Sequence, residues 1–306
     1  MGFAAQVKGE LCRQAPAEEG QRLALCYGLL LFGKEFSSEE MLFQSDRREV
    51  CTLLEGLLGE LFDTVPEVRC QGQGGKESTL CRIAGEAAGR AFARFGHRAE
   101  EVSLRIHFQP EEEEELLAFL KGAYLACGSV MNPERAYHLE FTVPYHNLAG
   151  DLETLLKLAG FPAKRTTRKG LQVVYCKESE AIEDFLTALG ATGSSLALMR
   201  IKVYKDVRNN ANRRTNFETA NIDKTVNAAV AQLRDIEYIL AHKGEGFLPE
   251  PLRQVAVARR ENPEMSLREL GEILPDRATR SAVNHRLTKI SRMAEELREQ
   301  EKGDGQ

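Results

Sequence analysis

The chain has 306 residues and a hydrophobic fraction of 42%, too long for one typical domain of about 100–200 residues and apolar enough for ordinary globular cores. Its net charge of −5 argues against nucleic acid for the chain as a whole, yet acids outnumber bases before residue 200 and bases outnumber acids after it, the asymmetry of an acidic body with a basic module appended. No apolar run of about 18 residues predicts a membrane span, MGFAAQVKGELCRQ lacks the pattern of a signal peptide, and seven cysteines without a CxxC pair read as reduced thiols in a cytoplasmic protein.

The first 199 residues carry a repeated pattern, which must be sought before any fold is assigned. Glu18 to Phe32 reads as a helix with Leu23, Cys26, Tyr27, Leu30 and Leu31 on one side. MLFQS (41–45) is a strand candidate and Arg47 to Phe62 a helix. Val65 to Gln71 and Ser78 to Ile83 read as strands around a turn at Gly72–Glu77, and Glu86 to Phe95 is helical. The order then recurs. Glu113 to Ala126 is helical, Tyr137 to Val143 alternates as a strand, and Asn147 to Ala159 is helical. Pro162 to Thr167 and Leu171 to Cys176 form a hairpin, and Glu178 to Leu189 closes the second copy.

A pair of matching segments anchors this repeat. YGLLLFGKEF (27–36) and GAYLACGSV (122–130) align with Gly28 on Gly122 and Gly33 on Cys127, a constant offset of 94. Small residues at Gly122, Ala123 and Ala126 let two helix backbones approach closely. The expectation is a pseudo-symmetric body with these two helices packed at its centre.

Two motifs in this half are decoys. QGQGGKES (71–78) hints at a phosphate loop, but Glu77 stands where Ser or Thr would meet magnesium and Cys70 where the first glycine belongs. The run of glutamates at 111–115 is a solvated first helical turn, placed where acids suit the positive end of the helix dipole. The six histidines are scattered, with no HExxH spacing. Neither a metal nor a cofactor is expected.

Residues 200–214 hold six cations (Arg200, Lys202, Lys205, Arg208, Arg213, Arg214) against one acid, Asp206, and six asparagines lie between 209 and 227. One reading is a polar inter-domain linker over 200–220. The other is an auxiliary phosphate-contacting arm, with Arg208, Arg213 and Arg214 as its contacts. Beyond it Ile222, Val226, Ala229, Leu233, Ile236 and Leu240 form a helical stripe with Asn221 as a plausible cap. Leu252 to Arg260 is the next helix, opened by Pro249 and Pro251 and closed by Asn262-Pro263.

Ser266 to Glu299 reads as two helices joined by a short turn. Ser266 and Glu269 make a capping box, Pro275 and Asp276 end the first helix, and Thr279 or Ser281 caps the second. Val283, Leu287, Ile290, Ala294 and Leu297 form the apolar stripe of that second helix. Ser281, His285, Thr288 and Arg292 point away from it, flanked by Asn284, Arg286 and Lys289. From Arg277 to Arg292 there are five cations and no acid. A short helix, a tight turn and a basic second helix with small polar residues suit a DNA major groove. A plain αα-hairpin with a basic solvated face would carry the same pattern. In the DNA reading Arg277, Arg280 and Arg292 meet phosphates, while Asn284, His285, Arg286 and Lys289 reach base edges.

The segment KGAYLACGS resembles the signature helix of LAGLIDADG homing endonucleases, and the repeated layout resembles their αββαββα fold. Those nucleases bind DNA across two sheets and hold catalytic metal with an acid at the end of each signature helix. The matching positions are Gly33 and Cys127, neither a carboxylate, and Lys34 replaces the closing glycine of the first signature. Hard divalent cations need oxygen ligands, so the resemblance implies a nuclease scaffold without nuclease activity.

Together with RNNANRRTNFETANIDKTVNAAV and SLRELGEIL…SAVNHRLTKI, the whole chain resembles the WhiA family. That resemblance implies an α+β protein: two LAGLIDADG-like repeats, residues 1–110 and 111–199, the 200–220 segment, and an all-α helix-turn-helix domain over 221–306. It also implies a bacterial regulator of cell division, chromosome segregation and, in sporulating lineages, sporulation. Double-stranded DNA is the expected partner. A regulatory protein is a further candidate, a monomer is favoured, and the expected location is the cytoplasm at the nucleoid. A protein–protein adaptor, an architectural nucleoid factor and a divergent nuclease are the competing classes.

Overall fold

A computed structural model of the chain describes residues 2–73, 76–101 and 103–303. They divide into two compact units, one ending at Asp206 and the other beginning at Val207.

The first unit opens with helix α1 (Phe3–Leu11) and then repeats one pattern twice. The first copy is α2 (Glu19–Leu31), β1 (Glu35–Phe36), β2 (Glu40–Ser45), α3 (Arg48–Phe62), β3 (Glu67–Gln73), β4 (Lys76–Ala84) and α4 (Glu86–Arg94). The second is α5 (Glu113–Cys127), β5 (Gly128–Val130), β6 (Leu139–Val143), α6 (His146–Leu158), β7 (Lys164–Arg168), β8 (Leu171–Cys176) and α7 (Ser179–Ala188). Each copy folds into a four-stranded antiparallel sheet, ordered β1-β2-β4-β3 and β5-β6-β8-β7. This is the expected α+β body.

Helices α2 and α5 sit at the middle of the core because they are apolar on nearly every side, the mark of an enclosed helix. Every residue of α2 from Ala24 to Leu31 is buried, as is most of α5. Gly28 and Gly122 make the contact possible. A Cβ on Gly28 would strike the Phe119 carbonyl oxygen and stand 3.1 Å from Gly122 Cα. A Cβ on Gly122 would strike the Leu25 carbonyl oxygen and stand 3.0 Å from Gly28 Cα. The two positions 94 residues apart therefore meet backbone to backbone.

Three short elements of the body escaped the sequence: α1, β1 and β5. The two strands have only two and three residues, too few for an alternation to register. The expected turn at Gly72–Glu77 is tighter than the sequence suggests. Gly72 pairs with Glu77 and Gln73 with Lys76 in the ladder, and residues 74 and 75 lie outside the described residues.

A larger correction concerns residues 192–243. They form one helix of 52 residues, α8 (Thr192–Lys243), so the expected linker at 200–220 is helical and Asn221 lies inside a helix rather than capping one. No glycine or proline interrupts the chain from Ser194 to Lys243. Each asparagine costs no more than about 0.7 kcal/mol in a helix interior, which disfavours the helix without breaking it. The true start is set from afar. The Glu10 carboxylate of α1 accepts hydrogen bonds from the backbone N–H of Gly193 (2.6 Å) and Ser194 (2.9 Å) and from the Ser194 hydroxyl (2.7 Å). An acid there satisfies orphan donors and suits the helix dipole.

In the second unit the rest of α8 is followed by a 3-10 turn (Glu245–Phe247), α9 (Glu250–Glu261), α10 (Leu267–Ile273) and α11 (Arg280–Gly303). Ile236, Ile239, Val255, Leu270, Val283, Leu287, Ile290 and Ala294 are the heart of its core. The stripe expected along α8 is only half covered. Ile236 is enclosed, while Ile222 and Val226 are exposed.

Candidate nucleic-acid interface

The expected two-helix stretch is α10, a turn and α11. Ser266 caps α10 reciprocally with Glu269: the Glu269 N–H donates to Ser266 Oγ (3.3 Å) and the Ser266 N–H to Glu269 Oε2 (2.8 Å). Two orphan donors are satisfied by one pair of side chains, and these bonds hold the Glu269 carboxyl below the usual carboxylate range. Of the two candidates for capping α11, Thr279 does so, its Oγ1 accepting from the Ala282 N–H at 3.3 Å. Ser281 lies within the helix.

The turn is closed by three local devices. Gly271 lies under Ala278, where a Cβ would collide with the Ala278 carbonyl oxygen. Arg277 takes a left-handed conformation (φ 44°), uncommon for a residue with a side chain. Asp276 and Arg286 form a two-point ion pair, Arg286 Nη1 to Asp276 Oδ1 at 3.3 Å with a shorter bond from Nη2 to Oδ2. That hydrogen bond is the main cause of the lowered Asp276 pKa and the raised Arg286 pKa. The pair is formed at neutral pH and is lost as pH falls through the depressed Asp276 value.

At 100° per residue, Val283, Leu287, Ile290, Ala294 and Leu297 form the buried side of α11. Ser281, Asn284, His285, Thr288, Lys289 and Arg292 are exposed and occupy one arc of about 140° on the other side. The Thr288 hydroxyl is turned inward onto the Asn284 carbonyl (2.9 Å). Arg292 shares an exposed pair with Glu296 at 3.0 Å, a contact of little strength in water. Arg277, Arg280 and Lys289 carry no ion pair among the described residues. Arg286 differs from its neighbours. It lies at the edge of the buried stripe, its side chain 19% exposed, and its guanidinium is committed to Asp276. A residue ten positions away supplies that contact, and a motif reading has no means of pairing them.

The proposed arm divides in two. Lys202 faces Glu180 and Glu183, each at 3.4 Å. Lys205 donates to the Pro133 carbonyl at 2.6 Å and lies over the Tyr137 ring. Arg208, Arg213 and Arg214 are exposed on α8. Helical rotation separates them by 140° and then 100°, so they make no single stripe.

The ends of the two central helices are poor metal sites. Gly33 has no side chain, and a Cβ there would stand 2.7 Å from the Leu42 carbonyl oxygen. The Cys127 thiol donates to the Ala123 carbonyl at 3.3 Å, and burial pushes its pKa up to about 12. A buried protonated thiol and a bare glycine do not supply the oxygens that a hard divalent cation requires. Several arginines on the two sheets face carboxylates: Arg82 faces Glu40 and Glu67, Arg69 faces Glu67, and Arg168 faces Glu140.

Comparison with known proteins adds the ancestry of these parts. Residues 211–294 match the family model described as the WhiA C-terminal HTH domain, and residues 116–208 that of the WhiA LAGLIDADG-like domain. A "Probable cell division protein WhiA" from Clostridium perfringens is 36% identical, over 97% of this chain and 99% of its own length. One of the same name from Thermoanaerobacter is 34% identical over 98% and 99%. Full-length WhiA from Thermatoga maritima has a similar fold, with a TM-score of 0.60 at 24% identity over 97% of this chain and 99% of its own.

Proposed function

The chain belongs to the WhiA family, and from that premise we propose that it is a sequence-specific, double-stranded DNA-binding transcriptional regulator of cell division and chromosome segregation, without nuclease activity. It works at the nucleoid in the cytoplasm. The exposed polar arc of α11 carries this reading: Ser281, Asn284, His285 and Lys289 share one side of a helix that a capped α10 and a clamped turn hold in place. Such a helix is shaped for the major groove. Asn284, His285 and Lys289 read base edges, and Arg277, Arg280, Arg292 and the 208–214 cations hold phosphates. Arg286 acts chiefly by fixing the turn.

With about six phosphates neutralised, log K falls against log salt with a slope near −5. Fluorescence anisotropy of the full chain on duplex DNA measures it, and a flat response removes the proposal. Sequence preference is tested by competition. If heparin displaces the protein and no genomic fragment is preferred, specificity is lost from the reading. The missing acids at Gly33 and Cys127 support the absence of cleavage. Plasmid incubated with the protein and Mg²⁺ or Mn²⁺ is expected to remain supercoiled, and nicking overturns that part.

A further inference from the structure

We propose that His97, Glu101 and His107 form a binding site for one divalent transition-metal ion of the zinc class, held against Tyr27 of α2. The three residues lie in the connection between α4 and α5, outside the DNA-binding unit and distinct from Gly33 and Cys127. Glu101 Oε2 stands 3.0 Å from His97 Nδ1 and 3.3 Å from His107 Nε2, and the ligand atoms available from the three lie within 4.8 Å of one another. Nitrogen and oxygen ligands bonded to a tetrahedral zinc ion at about 2.0–2.1 Å are about 3.3 Å apart. The free side chains thus already stand near the separations that a bound ion would impose. Two imidazoles and one carboxylate are the donor set of borderline metals rather than of magnesium or calcium, which take all-oxygen sites.

The surroundings fit a site as well as the ligands do. The His97 ring is buried, its centroid 5.0 Å from those of both Phe36 and Phe92. Its Nε2 lies 2.7 Å from the Tyr27 hydroxyl, which also accepts the His107 backbone N–H at 3.0 Å. Tyr27 is itself held by stacking on Phe95, centroids 4.7 Å apart. The second Glu101 oxygen accepts the Arg98 N–H at 2.9 Å. Outer contacts of this kind set the orientation and tautomer of metal ligands. Coordination through Nδ1 leaves the His97 ring proton on Nε2, where it donates to the Tyr27 oxygen. The His107 side chain is 39% exposed, leaving a path for entry and a fourth position for water. A bound ion would pin the segment joining the two repeats onto the central helix. The spacings are four and six residues, and the second leaves the helix face that the first would share, so a search for HExxH passes over the set.

The full-length chain, stripped of metal by a chelator, is titrated with Zn²⁺ and with Co²⁺ as a spectroscopic probe. One equivalent is expected, with the visible bands of tetrahedral cobalt and no thiolate charge-transfer band. His107→Ala and Glu101→Gln, both on partly exposed side chains, should each weaken affinity at least tenfold with an unchanged circular dichroism spectrum. Tyr27→Phe should weaken it about 10–100-fold through the ring it orients. No binding of either ion, a thiolate band, or stoichiometry and affinity unaltered in both ligand variants would show that the three residues form a hydrogen-bonded network only.

Discussion

The two sheets and α11 both present basic side chains, and they spend them differently. On the sheets, Arg69, Arg82 and Arg168 face carboxylates within the same unit. On the turn and on α11, Arg277, Arg280 and Lys289 face none among the described residues. Counterion release by phosphate needs cations whose charge is not already met. Several sheet arginines thus face carboxylates of their own unit, while the turn and α11 keep three cations without an ion pair among the described residues.

The harshest way to break this contrast is to unfold the body. Gly122→Val drives a side chain into the Leu25 carbonyl and the Leu29 N–H, where neither backbone can yield. The cost should reach about 3 kcal/mol or more, at or above the usual upper end for overpacking. A thermal melt should lose its body transition while anisotropy still reports DNA binding. Loss of both would tie the interface to the body.

Removing charge is the next test. Arg277→Ala and Arg280→Ala combined should flatten the salt slope by about 1 per cation removed. Arg82→Ala with Arg168→Ala should leave the slope where it was. Equal effects from the two sets would erase the distinction.

Arg286 sharpens the comparison because, like the sheet arginines, it faces a carboxylate, and its side chain is only 19% exposed. Arg286→Ala should lower affinity by about 1–3 kcal/mol, the worth of a base contact, only if Arg286 reads a base. Asp276→Ala decides the cause by its sign in the same assay. Weaker binding marks the ion pair as the clamp of the turn, and tighter binding marks Arg286 as a reader released to the DNA. The smallest effect belongs to Ser266→Ala. It should cost about 1 kcal/mol of stability in the helical unit and leave the salt slope unchanged, measured by denaturant melts beside the anisotropy.

Periodicity made most elements legible. Alternation marked β6, the hairpin pattern marked β8, and the stripe from Val283 to Leu297 marked α11 with its buried side. The offset joining Gly28 to Gly122 identified the repeat, because small residues in matching places mean close backbones wherever they recur. Local chemistry also placed the Ser266 capping box. What the sequence obscured were features supplied from a distance. The 200–220 segment reads as a polar linker because its residues are polar, yet it is helical, and the cap on that helix comes from Glu10. Arg286 reads as a base contact until Asp276 is found across the turn.

The order of residues by itself thus determined the repeat, the helix ends without carboxylates and the amphipathic helices, since each is a pattern of residue types along the chain. Tertiary structure alone decided which charges remain available, where α8 begins, and that His97, Glu101 and His107 converge beside Tyr27. Those outcomes depend on groups brought together by folding, and separation along the chain carries no record of distance in space.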